Sequence, residues 1–235
     1  MTNAHSLNKD TLYVPEAMLF DLDGTLFQTE SLLATVHTRV FDTLREEKLY
    51  TKEEPPLERL LGALGMLLEH IWQRVMPDGS PEAHARANEL LLKYELEDLE
   101  AGIGVLYEGV EETLQALKNK GIRLFVASNG LESYVKEVPR LRGIGTLFEG
   151  FYSAGEYQTA TKAELVRILL DKHGIRSAWM VGDRSSDVDA GKRNGLFVVG
   201  CDYAGFRKDG ELEGSDAVIG DFRELLRLVE SAEAK

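Results

Sequence analysis

Short apolar runs, each closed by a polar residue or glycine, constrain this chain most. They fall at residues 17–20 (Ala-Met-Leu-Phe), 122–127, 178–181 and 196–199. A continuous apolar run of this length suits a strand buried on both faces. Residues 148–153 and 216–219 are weaker candidates of the same kind. Helical stretches lie between the runs. Residues 109–120 carry Val110, Leu114 and Leu117 and stop at Gly121; residues 161–173 carry Leu165, Ile168 and Leu169 and stop at Gly174. Glycine just past the last periodic position ends a helix because it accepts a left-handed backbone. Alternating strand and helix predicts an α/β domain with a parallel sheet.

One stretch breaks the alternation. Residues 29–47 read as a helix with Leu32, Leu33, Val36, Val40 and Leu44 on one side. Residues 56–76 read as a second, with Leu60, Leu61, Leu64, Leu67, Leu68 and Ile71. Ser80-Pro81 pairs an N-cap with proline at the first helical position and opens a third, with Ala83, Ala87, Leu90, Leu91 and Tyr94. The expected organisation is a core of residues 1–27 and 104–235, with residues 28–103 inserted as a helical domain.

Three strand ends carry candidate chemistry. Asp21-Leu-Asp23-Gly-Thr25 follows the first run. Spacing of two in an extended segment puts both carboxylates on one side, and acids this close repel unless a cation sits between them; hard oxygen ligands favour Mg²⁺. Asp-Gly also closes plain turns. Gly182-Asp183-Arg-Ser-Ser-Asp187 follows the third run; helix capping accounts for one of its acids, not for both together with the first pair. Ser128-Asn129-Gly130 follows the second run and suits either an oxyanion site or a simple turn. Lys162, in the first turn of its helix, opposes the helix dipole and is either a functional misfit or an exposed lysine. The carboxyl edge of a parallel sheet is where open α/β folds bind ligands, and independent turns at three such ends are hard to sustain together.

Other classes are disfavoured. With 27 Lys+Arg against 40 Asp+Glu, the net charge is −13, contrary to the basic surface that holds nucleic acid. No P-loop or dinucleotide glycine pattern is present. His5, His37, His70, His84 and His173 show no zinc spacing, and Glu53-Glu54 and residues 95–100 read as solvated acidic faces. Cys201 is the single cysteine, so no internal disulfide forms. Residues 1–13 lack the apolar core of a signal peptide, and no apolar run approaches the ~20 residues of a membrane helix. A soluble, cytoplasmic monomer is expected, without membrane partners.

In order, Asp21-Leu-Asp23-Gly-Thr25, Ser128-Asn129, Lys162 and Gly182-Asp183-x-x-x-Asp187 resemble the four motifs of the haloacid dehalogenase superfamily. The helical insertion is similar to the C1-type cap of its phosphoglycolate-phosphatase-like members. Two departures stand out: Lys162 is followed by Ala-Glu-Leu rather than Pro-x-Pro, and Gln28 replaces a frequent aspartate. The resemblance implies a doubly wound, Rossmann-like core with an inserted cap. It implies Asp21 as nucleophile, Asp23 as general acid and base, and Ser128, Asn129 and Lys162 as phosphate ligands. Mg²⁺ would be held by Asp21, the Asp23 carbonyl and Asp183, with Asp187 behind them. Haloacid dehalogenases proper lack the second aspartate of the first motif, so Asp23 points to phosphoryl transfer. The expected activity is a Mg²⁺-dependent phosphatase on a small, phosphoglycolate-like monoester, forming an aspartyl-phosphate. A sugar-phosphate phosphomutase of the same architecture is the alternative, and a non-catalytic phospho-aspartate module a third reading. The insertion carries 8 Lys+Arg and 15 Asp+Glu, so phosphate is expected to be read by the core, with Arg59 and Arg74 on solvated faces.

Overall fold

Six parallel strands form one sheet in the computed structural model, which describes residues 12–66, 68–206 and 208–233. The strands are β1 (Ala17–Phe20), β2 (Arg123–Ser128), β3 (Gly150–Ser153), β4 (Ala178–Gly182), β5 (Phe197–Cys201) and β6 (Ala217–Ile219), in the order β3-β2-β1-β4-β5-β6. This is the doubly wound order, whose direction reverses between β1 and β4. The alternation of side chains along each strand divides them between two apolar clusters. Met18, Phe20, Leu124, Val126, Trp179 and Val181 enter one; Ala17, Leu19, Phe125, Ala127, Ala178 and Met180 enter the other. Both faces are therefore dry, which is why the runs read as continuous rather than alternating.

Helices cover each face. α5 (Val110–Asn119), α6 (Glu132–Leu141) and α10 (Glu224–Glu233) lie on the first, α8 (Lys162–His173) and α9 (Ser185–Arg193) on the second. A short α7 (Ala154–Tyr157) follows β3. The local signals explain the boundaries: Thr161 caps α8 by accepting from the Glu164 amide at 3.2 Å, and Gly174, at φ 64°, ends it. His5 and Leu67 lie outside the described residues.

Residues 28–103 hold α1 (Thr29–Glu46), α2 (Leu57–Leu61), α3 (Leu68–Val75) and α4 (Pro81–Glu100), and no strand among the described residues. The second helix expected there is two. Gly62 ends α2, and Gly65, at φ +84°, turns the chain before α3; the apolar periodicity runs across this break and conceals it. The segments joining the insertion to the sheet run side by side, with Phe27 bridged to Leu106 and the Gln28 amide bonded to the Val105 carbonyl at 2.9 Å. One apolar cluster continues from Phe20 through Leu22, Leu26 and Phe27 to Leu32 and Val36 of α1.

The 95–100 stretch is not a solvated face throughout: Glu95 and Asp98 are buried. Asp98 joins the two long helices, accepting from Thr35 at 2.6 Å and pairing with Arg39. Replacing it removes one of two acceptors from each partner, since the Thr35 hydroxyl also reaches the Leu32 carbonyl at 2.9 Å and Arg39 also pairs with Glu97. Asp98→Leu is expected to lower the unfolding free energy by about 1–3 kcal/mol, seen as a lower urea midpoint; an unchanged midpoint would show that the pair contributes nothing net.

Candidate active site

The first strand end places its acids by register. β1 and β4 run level, Phe20 beside Val181, and the Asp21 amide donates to the Val181 carbonyl at 2.9 Å. Asp21 thus leaves the sheet where the strand order reverses, beside Asp183, which follows Gly182 of β4. β2 flanks β1 on the other side and ends in Ser128, followed by Asn129. Lys162 begins α8, and Asp187 lies in the first turn of α9.

The structure brings all seven candidate residues to this edge. Asp21, Asp183, Asp187 and Lys162 are buried. Carboxylate oxygens of Asp21, Asp183 and Asp187 lie within 4.8 Å of one another. The Lys162 ammonium sits among them, 2.8 Å from Asp21 Oδ1 and 2.6 Å from Asp187 Oδ1. Asp187 Oδ2 accepts from the Arg184 amide at 3.0 Å, so both of its oxygens are engaged. Asp183 Oδ1 accepts from Thr25 at 3.3 Å. Its Oδ2 is fully buried and accepts no hydrogen bond; Arg184 Nε lies 3.4 Å away as an ion pair without hydrogen-bond geometry.

Backbone shape makes this crowding feasible. A Cβ on Gly24, whose φ is +77°, would stand 2.5 Å from Asp183 Oδ2, and one on Gly182 would stand 2.2 Å from the Asp187 carboxyl carbon. No side chain other than hydrogen fits at either position.

The electrostatics of the cluster suit a cation. Unit charges at such separations repel by about 3–4 kcal/mol per pair at an effective dielectric near 20. Burial, then the charges of Asp21 and Asp187, hold the Asp183 carboxyl well above the usual range. Burial and Asp21 push Asp187 up to about 6. Burial disfavours the Lys162 ammonium, but the charges of Asp187 and Asp21 outweigh it and raise its pKa. A buried three-carboxylate set with one unsatisfied oxygen fits a hard divalent cation.

Asp23 stands apart from this cluster, on a cavity that Asp21, Ser128, Asn129 and Tyr134 also line. Burial first, then Asp21, raises its pKa to about 6, against the opposing effect of two donors. These are Thr29 at 2.5 Å and Tyr134 at 2.7 Å, both on Oδ1. Ser128 Oγ accepts from the Gly130 amide at 3.1 Å, leaving its proton to donate. Asn129 Nδ2 instead donates to the Gly65 carbonyl at 2.8 Å, and Arg184 Nη2 to that of Leu61 at 3.0 Å. Both therefore hold the turn between α2 and α3 over the site. Arg59 and Arg74 are exposed. His37, His84 and His173 bond to Glu54, the Met76 carbonyl and Tyr152, away from the acids. Thr29, Tyr134, Arg184 and Glu95 are site residues that the sequence reading did not single out; only Arg184, inside a motif, carried a local signal.

A carboxylate held 2.8 Å from an ammonium, with a second carboxyl raised to about 6 opening on the same cavity, can perform nucleophilic attack with proton transfer.

The chain is similar to several known proteins. A family model described as haloacid dehalogenase-like hydrolase matches residues 18–201. A 5′-nucleotidase of Pseudomonas aeruginosa is 28% identical over 219 residues, covering 91% of this chain and 95% of that one. A phosphoglycolate phosphatase of Rhodospirillum rubrum is 31% identical over 223 residues, covering 90% of each. The crystal structure of a predicted phosphoglycolate phosphatase from Haemophilus somnus shares the fold, with a TM-score of 0.78 at 23% identity, over 91% of this chain and 97% of that one. No described helix is long and apolar enough to cross a membrane.

Both donors to Asp23 favour its charged form. Thr29→Val and Tyr134→Phe are each expected to move the Asp23 titration above about 6, followed by carboxyl carbon chemical shifts in metal-free protein. A downward movement would show that these hydroxyls act on Asp23 in another way.

Proposed function

We propose that this chain, which belongs to the haloacid dehalogenase-like hydrolase family, is a Mg²⁺-dependent phosphatase of a small phosphate monoester, working through an aspartyl-phosphate. The observation that carries this is the contrast between two carboxyls on one cavity. Asp21 is paired with the Lys162 ammonium at 2.8 Å, while Asp23 is pushed up to about 6. A carboxylate held against an ammonium is placed to attack, and a carboxyl raised toward neutral pH is suited to move protons. Relatives named as a 5′-nucleotidase and a phosphoglycolate phosphatase support phosphate ester chemistry.

In this reading an Asp21 oxygen attacks phosphorus, the bond to the leaving oxygen breaks, and that oxygen takes the Asp23 proton. Asp23 then removes a proton from water as the water oxygen attacks the aspartyl-phosphate. The bond from phosphorus to Asp21 breaks, releasing inorganic phosphate and restoring the carboxylate. A pKa near 6 serves both directions around neutral pH. Lys162 and the Ser128 hydroxyl donate to phosphoryl oxygens; Asn129, whose amide holds the Gly65 carbonyl, supports them from the turn above. Asp21, Asp183 and the Asp23 carbonyl would hold Mg²⁺, with Asp187 tying Lys162 in place. When bound, the ion supplies the positive charge that lets an anionic nucleophile approach an anionic phosphate. Residues 28–103 form the cap, which excludes water and reads the leaving group.

Asp21→Asn is expected to lose at least about 10³-fold in turnover, as loss of a nucleophile does, with an unchanged circular dichroism spectrum. The assay is inorganic phosphate release from an aryl phosphate and a panel of metabolite monoesters. Release at the parent rate would remove Asp21 from the nucleophile role.

Metal binding should follow the titration of the cluster. The folded Asp187 carboxyl holds its proton up to about 6, whereas its ordinary value is 3.8. In metal-free protein its stabilising contribution is thus fully present at low pH and lost as pH rises through about 6. Mg²⁺ needs its ligand Asp183 ionised, and that carboxyl is likewise held well above its usual range. The Mg²⁺-induced rise in Tm is therefore expected to be larger at pH 7 than at pH 5, by thermal denaturation with and without the ion. Equal rises at both would contradict binding at these acids.

A further inference from the structure

The part of the cavity wall supplied by α4 consists of Asn88, Leu91, Leu92 and Glu95, and no basic side chain lines the cavity among the described residues. Glu95 is 8% exposed. It finds no hydrogen-bond or ion-pair partner among the described residues, and the one charge that acts on it, Asp23, has its own sign. A buried polar group left unpaired costs stability, so one retained on a cavity wall is poised for a partner from outside the chain. Asn88 complements it. Its Oδ1 accepts from Trp72 Nε1 at 2.6 Å, which fixes the amide and leaves the NH₂ group as donor. Positions 88 and 95 are two turns apart on one helical face, about 10 Å along the axis, with Leu91 and Leu92 between.

We propose that Glu95 and Asn88 bind hydroxyl groups of the leaving group, so that the substrate is the monophosphate of a polyhydroxy compound, a sugar or polyol, and not of a hydroxy acid. The proposal rests on the phosphatase reading above, which puts the phosphate at Asp21. Hydroxyls donate to the carboxyl and accept from the amide, while the C–H faces of a polyol lie against the leucines. A leaving group bearing a carboxylate, as phosphoglycolate does, would be buried beside Glu95 and Asp23 with no cation to balance it. Burial, then Asp23, also holds the Glu95 carboxyl well above its usual range, so it serves hydroxyls in both directions without requiring an ammonium partner.

The test compares kcat/KM of the full-length protein on a hexose monophosphate, a glycerol monophosphate, phosphoglycolate, phosphoethanolamine and an aryl phosphate. The polyol esters are expected to exceed phosphoglycolate and phosphoethanolamine by about tenfold or more, the size of one well-placed hydrogen bond. Glu95→Leu is expected to lower the polyol-to-aryl ratio by about tenfold, and Glu95→Gln to retain most of it. A preference for phosphoglycolate or phosphoethanolamine, or a ratio unmoved by Glu95→Leu, would overturn the proposal. Failure to hydrolyse even the aryl phosphate would sink the phosphatase reading instead. Calorimetric binding of the hexose monophosphate against phosphoglycolate then decides the Glu95 assignment separately: tighter sugar binding that Glu95→Leu abolishes supports it, and equal binding refutes it.

Discussion

Like charges held together in a dry place govern this molecule. Asp21, Asp183 and Asp187 crowd within 4.8 Å, and the one ammonium among them, Lys162, touches only two. Water would relieve this repulsion cheaply, but the sheet is apolar on both faces, so the strand ends open from a low-dielectric body. The scaffold offsets the cost with two oriented donors, the Arg184 amide and the Thr25 hydroxyl, and with the nearby charge of the Arg184 guanidinium. Even so, one Asp183 oxygen stays unsatisfied. A chain selected for stability alone would replace these acids with apolar residues of similar size. Their retention is a local conflict of the kind expected where chemistry is done.

The insertion is tied into that arrangement and does not merely sit beside it. Its apolar side joins the sheet's first cluster through Leu22, Leu26 and Phe27. Its central turn is held by Asn129 and Arg184, whose neighbours in sequence are site residues. Gly65 is needed there because a Cβ would stand 3.0 Å from the Arg184 side chain in a backbone of positive φ. The same turn that breaks the expected helix therefore lets the insertion approach the acids. Thr29, the first residue of α1, bonds Asp23, so the insertion touches the site at its beginning as well as at its turn.

These ties explain what the sequence could and could not disclose. The strands were legible because burial on both faces leaves an uninterrupted apolar run, and the acids because Asp21 and Asp183 stand at the ends of such runs with Asp23 and Asp187 a few residues on. The helix expected over residues 56–76 failed at Gly62 and Gly65, where apolar spacing persists through a turn and only backbone conformation reveals the break. Tyr134 was invisible because nothing local distinguishes a tyrosine on α6 that bonds Asp23 from one that merely packs. Glu95 misled more strongly. It sits in an acidic stretch whose neighbours Glu97 and Glu100 are exposed, and composition cannot show which carboxyl of such a run turns inward. That depends on how α4 packs on α1, which Asp98 and its partners help to set.

Placing an acid on the cavity wall has a consequence for selection among substrates. In the reading proposed above every phosphate monoester brings a similar anionic group to the floor, so the groups that meet it there, the Lys162 ammonium and the Ser128 hydroxyl, separate none of the members of the class. Discrimination has to come from the leaving group, by reward or by exclusion. A basic wall would reward anionic leaving groups and also draw inorganic phosphate and other small anions. An acid that burial and Asp23 hold toward its neutral form, flanked by leucines, excludes them through desolvation and makes little demand for a cation. Such a wall contributes little to initial attraction, consistent with an insertion holding more acids than bases. It concentrates its effect on the fit of hydroxyls once the phosphate is seated, the stage at which binding energy can orient the ester bond against Asp21 and Asp23.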